Sequence, residues 1–188
     1  MGTAHSGTTA SARPAEREIV ITRVFDAPRD RVFKAWTEPE RVMRWWGPNG
    51  FTTPVCKIDL RPGGVFHNCM RSPEGRDFWS KGVYREIVAP ERIVCTDFFS
   101  DVEGNLVQPT QYGLSPDWPE KEKRLVFTSA ALDNEGNPLF EVLNTVTFAE
   151  QGGKTTQTSR ARAVKTTAEG APYLEGMEAG YVCSSRSS

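Results

Sequence analysis

The fold is decided by residues 19–28, which read Ile-Val-Ile-Thr-Arg-Val-Phe-Asp-Ala-Pro and join a strand to a helix. The β-branched run is short and predicts a strand that stops at the Asp-Ala-Pro turn. Pro28 suits the start of a helix, where its missing N–H costs nothing. Val32, Phe33 and Trp36 then recur at helical spacing, so a helix follows the strand directly.

A second short helix repeats this pattern further along the chain. Pro39 is its predicted starting residue, and Val42, Met43 and Trp46 fall on one face. The turn sequence Gly-Pro-Asn-Gly at 47–50 ends it. Two short helices therefore separate the first strand from the rest of the chain.

Beyond residue 50 the hydrophobic pattern changes from helical to alternating, which is typical of β-strands. Turns rich in Gly, Pro and Asn separate the runs, and short links between sequential strands favour an antiparallel meander. The predicted strands span residues 51–60, 64–71, 78–89, 91–100, 123–132, 138–149 and 154–163. Leu174, Met177 and Tyr181 then repeat at helical spacing, which predicts a C-terminal helix over 166–182. The fold class is α+β, with a curved antiparallel sheet that wraps this helix.

The predicted strand 64–71 has two faces of different character. Phe66, Asn68 and Met70 share one parity, and Arg71 lies on the other. Because Arg71 prefers water, we assign the first set to the interior.

The composition describes one soluble domain. The chain has 188 residues, a net charge of −1 and 38% hydrophobic residues, so a single core is expected. No apolar run approaches the ~20 residues of a membrane span, and residues 1–15 lack the apolar core of a signal peptide, so we expect a cytoplasmic monomer. Without a basic stripe, nucleic acid is a poor partner. We expect a flexible tail over 1–16, one ligand-binding domain over 17–183 and a frayed tail over 184–188.

The cysteines and histidines predict neither a metal site nor a catalytic triad. Cys56, Cys69, Cys95 and Cys183 show no Cys-x-x-Cys spacing, which argues against zinc and redox dithiols. His67 is the one histidine within the predicted strands. We therefore expect no metal and no cofactor.

Residues 111–119, Gln-Tyr-Gly-Leu-Ser-Pro-Asp-Trp-Pro, place aromatic side chains around a glycine in a long connection. Long loops are usually functional or disordered, and Tyr112 and Trp118 argue against disorder. Gly113 has two interpretations. It is a turn residue of positive φ, or it is a hydrogen donor, because an unshielded Cα gives a radical stabilised by its neighbouring amides. The residues alone leave both open.

Several motifs, taken as a set, resemble the START-like helix-grip (SRPBCC) superfamily, in the branch homologous to the Hsp90 ATPase activator. The resemblance covers about residues 18–182. It implies a hollow fold that binds a hydrophobic or aromatic small molecule between sheet and last helix, without fixing one chemistry. The motifs are Arg23-Val24-Phe25-Asp26-Ala27-Pro28, Val32-Phe33-Lys34-Ala35-Trp36-Thr37, Arg44-Trp45-Trp46-Gly47-Pro48, Pro62-Gly63-Gly64 and Pro90-Glu91-Arg92-Ile93-Val94.

The Tyr-Gly-Leu segment is also similar to that of enediyne self-resistance proteins of this superfamily. This resemblance implies that Gly113 gives a hydrogen atom to an activated enediyne such as calicheamicin and that the chain is then cleaved. Such a protein is consumed and does not turn over. Two other functions stay open: a polyketide cyclase or aromatase, or general lipid or polyketide binder, and a chaperone-interacting module.

A flat or polyene ligand needs aromatic faces and a few polar anchors. Among the candidates, Asn68 supplies the polar contact. The predicted binding residues are Tyr112, Leu114, Trp118, Phe66, Asn68, Met70, Tyr84 and Phe98.

Overall fold

The computed structural model describes residues 18–112, 135 and 139–167. In this part of the chain seven strands form one antiparallel sheet in the order β1-β7-β6-β5-β4-β3-β2. The strands are β1 Glu18–Phe25, β2 Thr52–Ile58, β3 Val65–Arg71, β4 Asp77–Val88, β5 Arg92–Ser100, β6 Phe140–Gln151 and β7 Lys154–Thr166. The helices are α1 Arg29–Thr37 and α2 Pro39–Val42, and a 3-10 turn spans Pro109–Tyr112. This architecture confirms the predicted α+β helix-grip class.

Strand β1 joins the meander at its far end. It pairs antiparallel with β7, from Glu18 opposite Arg162 to Phe25 opposite Thr155. The remaining strands follow one another as neighbours from β2 to β7. The first and last described strands are therefore adjacent, and β1 and β2 form the two edges.

Helix α1 forms as its sequence predicts. The Pro28 carbonyl accepts hydrogen bonds from the amides of Arg31 and Val32, at 3.0 and 3.2 Å. At the other end, the Thr37 hydroxyl donates to the Phe33 carbonyl at 3.0 Å. The helix stops at Glu38, which is extended because Pro39 follows it.

Helix α2 is shorter than predicted. It ends at Val42, and Met43, which we expected on its buried face, is 38% exposed. The tryptophans that follow pack back on α1, since the Trp45 indole donates to the Ala35 carbonyl at 2.9 Å and its ring centroid lies 4.7 Å from that of Trp36. Beyond Val42 the chain continues as a turn, in which the Trp46 amide donates to the Val42 carbonyl at 2.9 Å.

The C-terminal end of the sheet is longer than predicted. Strand β7 continues to Thr166 because β6 pairs with it as far as Phe140 and Thr166, across a register shift between Glu141 and Val142. The prediction of a helix from residue 166 was therefore wrong at its start. The remainder of that helix, the strand predicted at 123–132 and the tails at 1–16 and 184–188 lie outside the described residues.

One face of the sheet, which we call the inner face, packs against α1 and carries the main apolar core. Val32 and Phe33 lie on it, and the Phe33 ring meets that of Phe148 edge-on, with centroids 5.6 Å apart. The sheet residues of this α1 group are Phe66, Tyr84, Ile93, Val146 and Phe148. Because strand side chains alternate, every second residue from these also faces inward, except across a bulge.

Gly82 makes this packing possible. The ring of Phe66 lies across it, so a Cβ at residue 82 would sit 2.0 Å from Phe66 Cζ and 2.4 Å from the carbonyl oxygen of Thr96. The aromatic contact between Phe66 and Tyr84, with centroids 5.4 Å apart, depends on this bare stretch of backbone.

Candidate functional site

A polar band crosses the inner face beside the α1 group. Asn68 on β3 lies directly opposite Ser80 on β4, and Asp97 on β5 lies opposite Gly82. The three polar residues have the same strand parity as the α1 group, so they face inward. Their exposed fractions are 3%, 4% and 3%, so the band is buried.

An aromatic group borders the polar band on the side away from α1. The Tyr112 ring centroid lies 5.5 Å from that of Phe78 and 5.8 Å from that of Phe99. Phe51 adds a further contact, 6.0 Å from Phe78. We call these four residues the Tyr112 cluster. The polar band therefore lies between two aromatic groups on one face.

Tyr112 is held by its hydroxyl as well as by its ring. The hydroxyl accepts a hydrogen bond from the Trp79 amide at 3.2 Å and donates to the Ser100 carbonyl. Trp79 and Ser100 are opposite each other in the β4–β5 ladder, so the hydroxyl bridges the end of that ladder. Burial raises the pKa of Tyr112 above its ordinary value, which favours the protonated hydroxyl that donates this bond.

The backbone of Tyr112 is also fixed. The Arg76 guanidinium donates to the Tyr112 carbonyl oxygen at 2.9 Å and stacks over the Phe78 ring at 5.3 Å from its centroid. A cation over an aromatic face is attracted to the negative face of the ring. Both the side chain and the carbonyl of Tyr112 are thus held by hydrogen bonds beside the inner face.

The thiols and the phenol on the inner face are neutral at physiological pH. Burial raises the pKa of Cys95 to about 12, and the charge of Asp97 adds to this effect. Burial likewise raises the pKa of Cys56 to about 11 and that of Tyr84 above its usual value. High pKa values make these thiols poor nucleophiles, which argues against thiolate chemistry at this face.

Asn68 has an unmet hydrogen-bonding requirement. Its Oδ1 is buried and has no hydrogen-bond partner among the residues that the structure describes. Its neighbours across the ladders are Cys56 on β2 and Ser80 on β4. Buried amide oxygens usually have a partner, so this atom is a candidate ligand contact.

The structure brings several predicted binding residues together and separates one. Phe66, Asn68, Met70 and Tyr84 share the inner face, and the ring of Tyr112 packs at its far end. Phe98 does not join them: it lies opposite Lys81 and has the opposite parity to Phe99. Gly113, Leu114 and Trp118 lie outside the described residues.

Phe99, Phe78 and Ser80 are inner-face residues that sequence reasoning missed. On β5 the signal was the parity of Ile93, which is shared by Asp97 and Phe99 and not by Phe98. Three charged side chains that the sequence places on strands are exposed and paired: Asp59 with Arg61, Glu86 with Arg92 and Arg160 with Glu18.

Neither a metal cluster nor a membrane helix is found in the described ranges. No group of three or more His, Cys, Asp or Glu residues there is arranged to hold a metal ion. Over the same residues, no helix has the length and apolar character that a membrane crossing requires.

One protein family model matches the chain, over residues 26–112, a little under half of its length. Its description is Activator of Hsp90 ATPase homolog 1-like protein. The match begins at the turn before α1 and ends at Tyr112, so it includes the polar band and the Tyr112 cluster. A comparison with curated proteins gave no match.

Solved structures share the fold at low sequence identity. A protein from Arthrobacter aurescens has a TM-score of 0.62 and 22% identity, covering 89% of this chain and 80% of that one. A protein from Staphylococcus epidermidis has a TM-score of 0.60 and 22% identity, covering 93% and 88%. A protein from Mycobacterium smegmatis has a TM-score of 0.57 and 22% identity, covering 89% of this chain and 82% of that one. Over residues 26–112 the chain is thus similar to the Activator of Hsp90 ATPase homolog 1-like family, and these solved structures share its fold.

Proposed function

We propose that this protein is a cytoplasmic, monomeric binder of a hydrophobic or aromatic natural product, and that its ligand is an enediyne antibiotic quenched at Gly113. The ligand occupies the inner face, where aromatic groups flank a polar band. Such a lining, mostly apolar with a few polar anchors, is typical of small-molecule sites. The similarity of Tyr112-Gly113-Leu114 and of the overall pattern to the calicheamicin self-resistance protein CalC supports the enediyne.

The anchoring of Tyr112 is the observation that carries the proposal. Two strands and Arg76 hold this residue beside the inner face. The next residue along the chain is Gly113. A fixed neighbour limits the positions that the glycine Cα can take relative to a bound ligand, and hydrogen transfer requires a short, oriented approach.

The chemistry is a hydrogen-atom transfer. A carbon radical of the activated ligand takes one hydrogen from Gly113 Cα, so that a C–H bond forms on the ligand and one breaks on the protein. The unpaired electron stays on Cα, where the adjoining amide nitrogen and carbonyl stabilise it. Dissolved dioxygen, the oxidant of the next step, adds to this Cα radical, and the peroxyl species that forms breaks down with cleavage of the backbone at this position. Each molecule of protein therefore reacts once.

The test is mass spectrometry of the protein after exposure to a reductively activated enediyne. We expect one cut per chain at residue 113 and an amount of cut protein proportional to the ligand consumed. Gly75, an exposed turn glycine with open space around its Cα, is the matched control and should remain intact. Equal cutting at both glycines, or an uncut chain, would contradict the sacrificial role.

Deuterium labelling identifies the donor independently of the cut. Protein grown with α-deuterated glycine should pass one deuterium to the aromatised ligand. The Gly113→Ala variant should not, because the alanine that replaces the glycine carries unlabelled hydrogen.

Catalytic turnover of a poly-β-keto substrate would favour a cyclase instead, and ATPase stimulation in a mixing assay would favour the chaperone-interacting module.

A further inference from the structure

Asn68 presents a buried hydrogen-bond acceptor that the described part of the protein does not use. Only 3% of this residue is exposed, and its Oδ1 has no partner among the described residues. Leaving a buried amide oxygen unpaired costs free energy, and proteins retain such atoms mainly where something else supplies the partner. The atom therefore indicates a donor that the bound state brings.

The sheet itself does not provide that donor. The residues directly across from Asn68 are Cys56 and Ser80, and neither donates to it. Burial raises the pKa of Cys56 to about 11, so it stays a thiol, which is a weak donor. Along β3, the inward neighbours are Phe66 and Met70, which have no N–H or O–H donors in their side chains.

The side chains around Asn68 indicate the shape and polarity of the rest of the ligand. The contact between Phe66 and Tyr84 lies on one side, and the Tyr112 cluster lies on the other. Asp97 shares this face and is buried to a similar degree, so it adds a second polar side chain to the band. The site favours an apolar, planar body that carries a hydroxyl or amino group near its middle.

We propose that the ligand of the inner face donates a hydrogen bond to Asn68 Oδ1 from an O–H or N–H group, and that this contact selects such ligands over otherwise identical molecules. The proposal rests on the proposed function in one respect, because it needs a ligand on this face. It is independent of any reaction at Gly113. It makes Asn68 a specificity-determining residue, since a site built to pair a donor rejects the analogue that lacks it.

Three anthracene probes that differ in one substituent test the proposal. These are 2-(hydroxymethyl)anthracene, 2-methylanthracene and anthracene-2-carboxylate, titrated into the full-length protein by fluorescence. We expect the hydroxymethyl probe to bind about tenfold more tightly than the methyl probe, the size expected for one hydrogen bond to a buried partner. The carboxylate should bind most weakly, because at neutral pH it has no donor for the buried acceptor Asn68 Oδ1.

The Asn68→Leu variant replaces the amide by an apolar side chain of similar shape. In this variant the hydroxymethyl and methyl probes should bind with about equal affinity. The methyl probe should bind as tightly as to the wild type or more tightly. The denaturant midpoint of the free variant should be unchanged or higher, because an unpaired amide has been removed. Asn49→Leu, an exposed position outside the band, is the control and should keep the wild-type preference.

The outcomes separate the two proposals. Equal binding of the hydroxymethyl and methyl probes to the wild type would overturn the role of Asn68 while supporting an apolar site. This comparison uses only the wild-type protein, so it can be made even if the variant does not fold. A lower midpoint together with an unchanged probe preference in Asn68→Leu would show a purely structural role. If none of the three probes binds, the proposed function fails and this inference fails with it.

Discussion

The two halves of the inner face differ in what their side chains contact. In the α1 half, Phe33 packs against Phe148, so the protein fills this surface with its own side chains. In the Tyr112 half, aromatic rings border a band that contains Asn68 Oδ1, which has no partner among the described residues. Both halves share the same strands and the same alternation. One face can therefore be filled by apolar packing at one end and hold buried polar groups between aromatic rings at the other.

The largest loss of stability should follow from removing packing in the α1 half. Phe33→Ala should lower the free energy of unfolding by about 3–5 kcal/mol, because it deletes a buried ring and leaves a cavity beside Phe148. Denaturant unfolding followed by circular dichroism measures this change.

The control for that variant is Val24→Ala. Val24 is 67% exposed on the opposite face of β1, so its truncation should cost less than about 1 kcal/mol. If both variants lost the same stability, the α1 half would not be the main source of stability.

Adding a single methyl group at the boundary between the halves should lower the free energy of unfolding. Gly82→Ala places a Cβ against the Phe66 ring and the Thr96 carbonyl, and this overpacking should cost about 1–3 kcal/mol. The measurement is again denaturant unfolding. Gly75→Asn is the control, since open space surrounds that turn glycine. Asparagine enters the left-handed region more readily than most L residues, so the strain at its φ of +84° should cost less than the overpacking at residue 82. An equal loss at both positions would contradict the close approach.

Alkaline pH should weaken the middle of the inner face through Cys95. Its folded pKa of about 12 lies above the ordinary thiol value of 9.0, so the folded state holds its proton where the unfolded state releases it. This contribution is complete below pH 9 and is lost as the pH rises towards 12, at about 1 kcal/mol per pH unit. Cys95→Ala should have a flatter stability profile over this window. Parallel profiles would mean that the thiol is not held protonated.

The smallest effect on stability should come from the Tyr112 half. Tyr112→Phe removes the hydroxyl that bridges Trp79 and Ser100, and should cost about 1 kcal/mol because those two groups can pair with each other instead. Hydrogen exchange of the Trp79 amide should accelerate. The Phe148 amide, which donates to the Glu91 carbonyl at 2.8 Å, should exchange as in the wild type. If the Trp79 amide exchanged at the wild-type rate, the ring contacts of Tyr112 alone would be sufficient to protect it from exchange.

Local sequence patterns were enough for most of the described fold. The β-branched run before Pro28, and the helical spacing of Val32 and Phe33, each depend on neighbours within a few residues. Antiparallel pairing followed from the turns between runs. The ends of the strands and helices were harder to predict from the sequence. Strand β7, for example, extends to Thr166 because β6 pairs with it.

The candidate site depended on information that is not local. Phe98 and Phe99 are adjacent and both apolar, so alternation alone does not say which faces inward, and an error of one residue reverses the face. The strand pairing settles it in favour of Phe99. The hydroxyl contact of Tyr112 joins residues 33 and 12 positions away, which no local pattern reports. Asn68, by contrast, was predicted to face inward from the exposure expected of Arg71.

The pairing of β1 with β7 has a consequence for biosynthesis. In this pair Thr22 and Thr158 lie 136 residues apart in sequence, so the first described strand leaves the ribosome long before its partner exists. Such distant pairs close late, and chains that await them are exposed to aggregation. During translation, β1 must remain unpaired with its apolar residues uncovered until β7 emerges. A nascent chain stalled before residue 154 would therefore be a good substrate for chaperones, whereas the released chain can close its sheet.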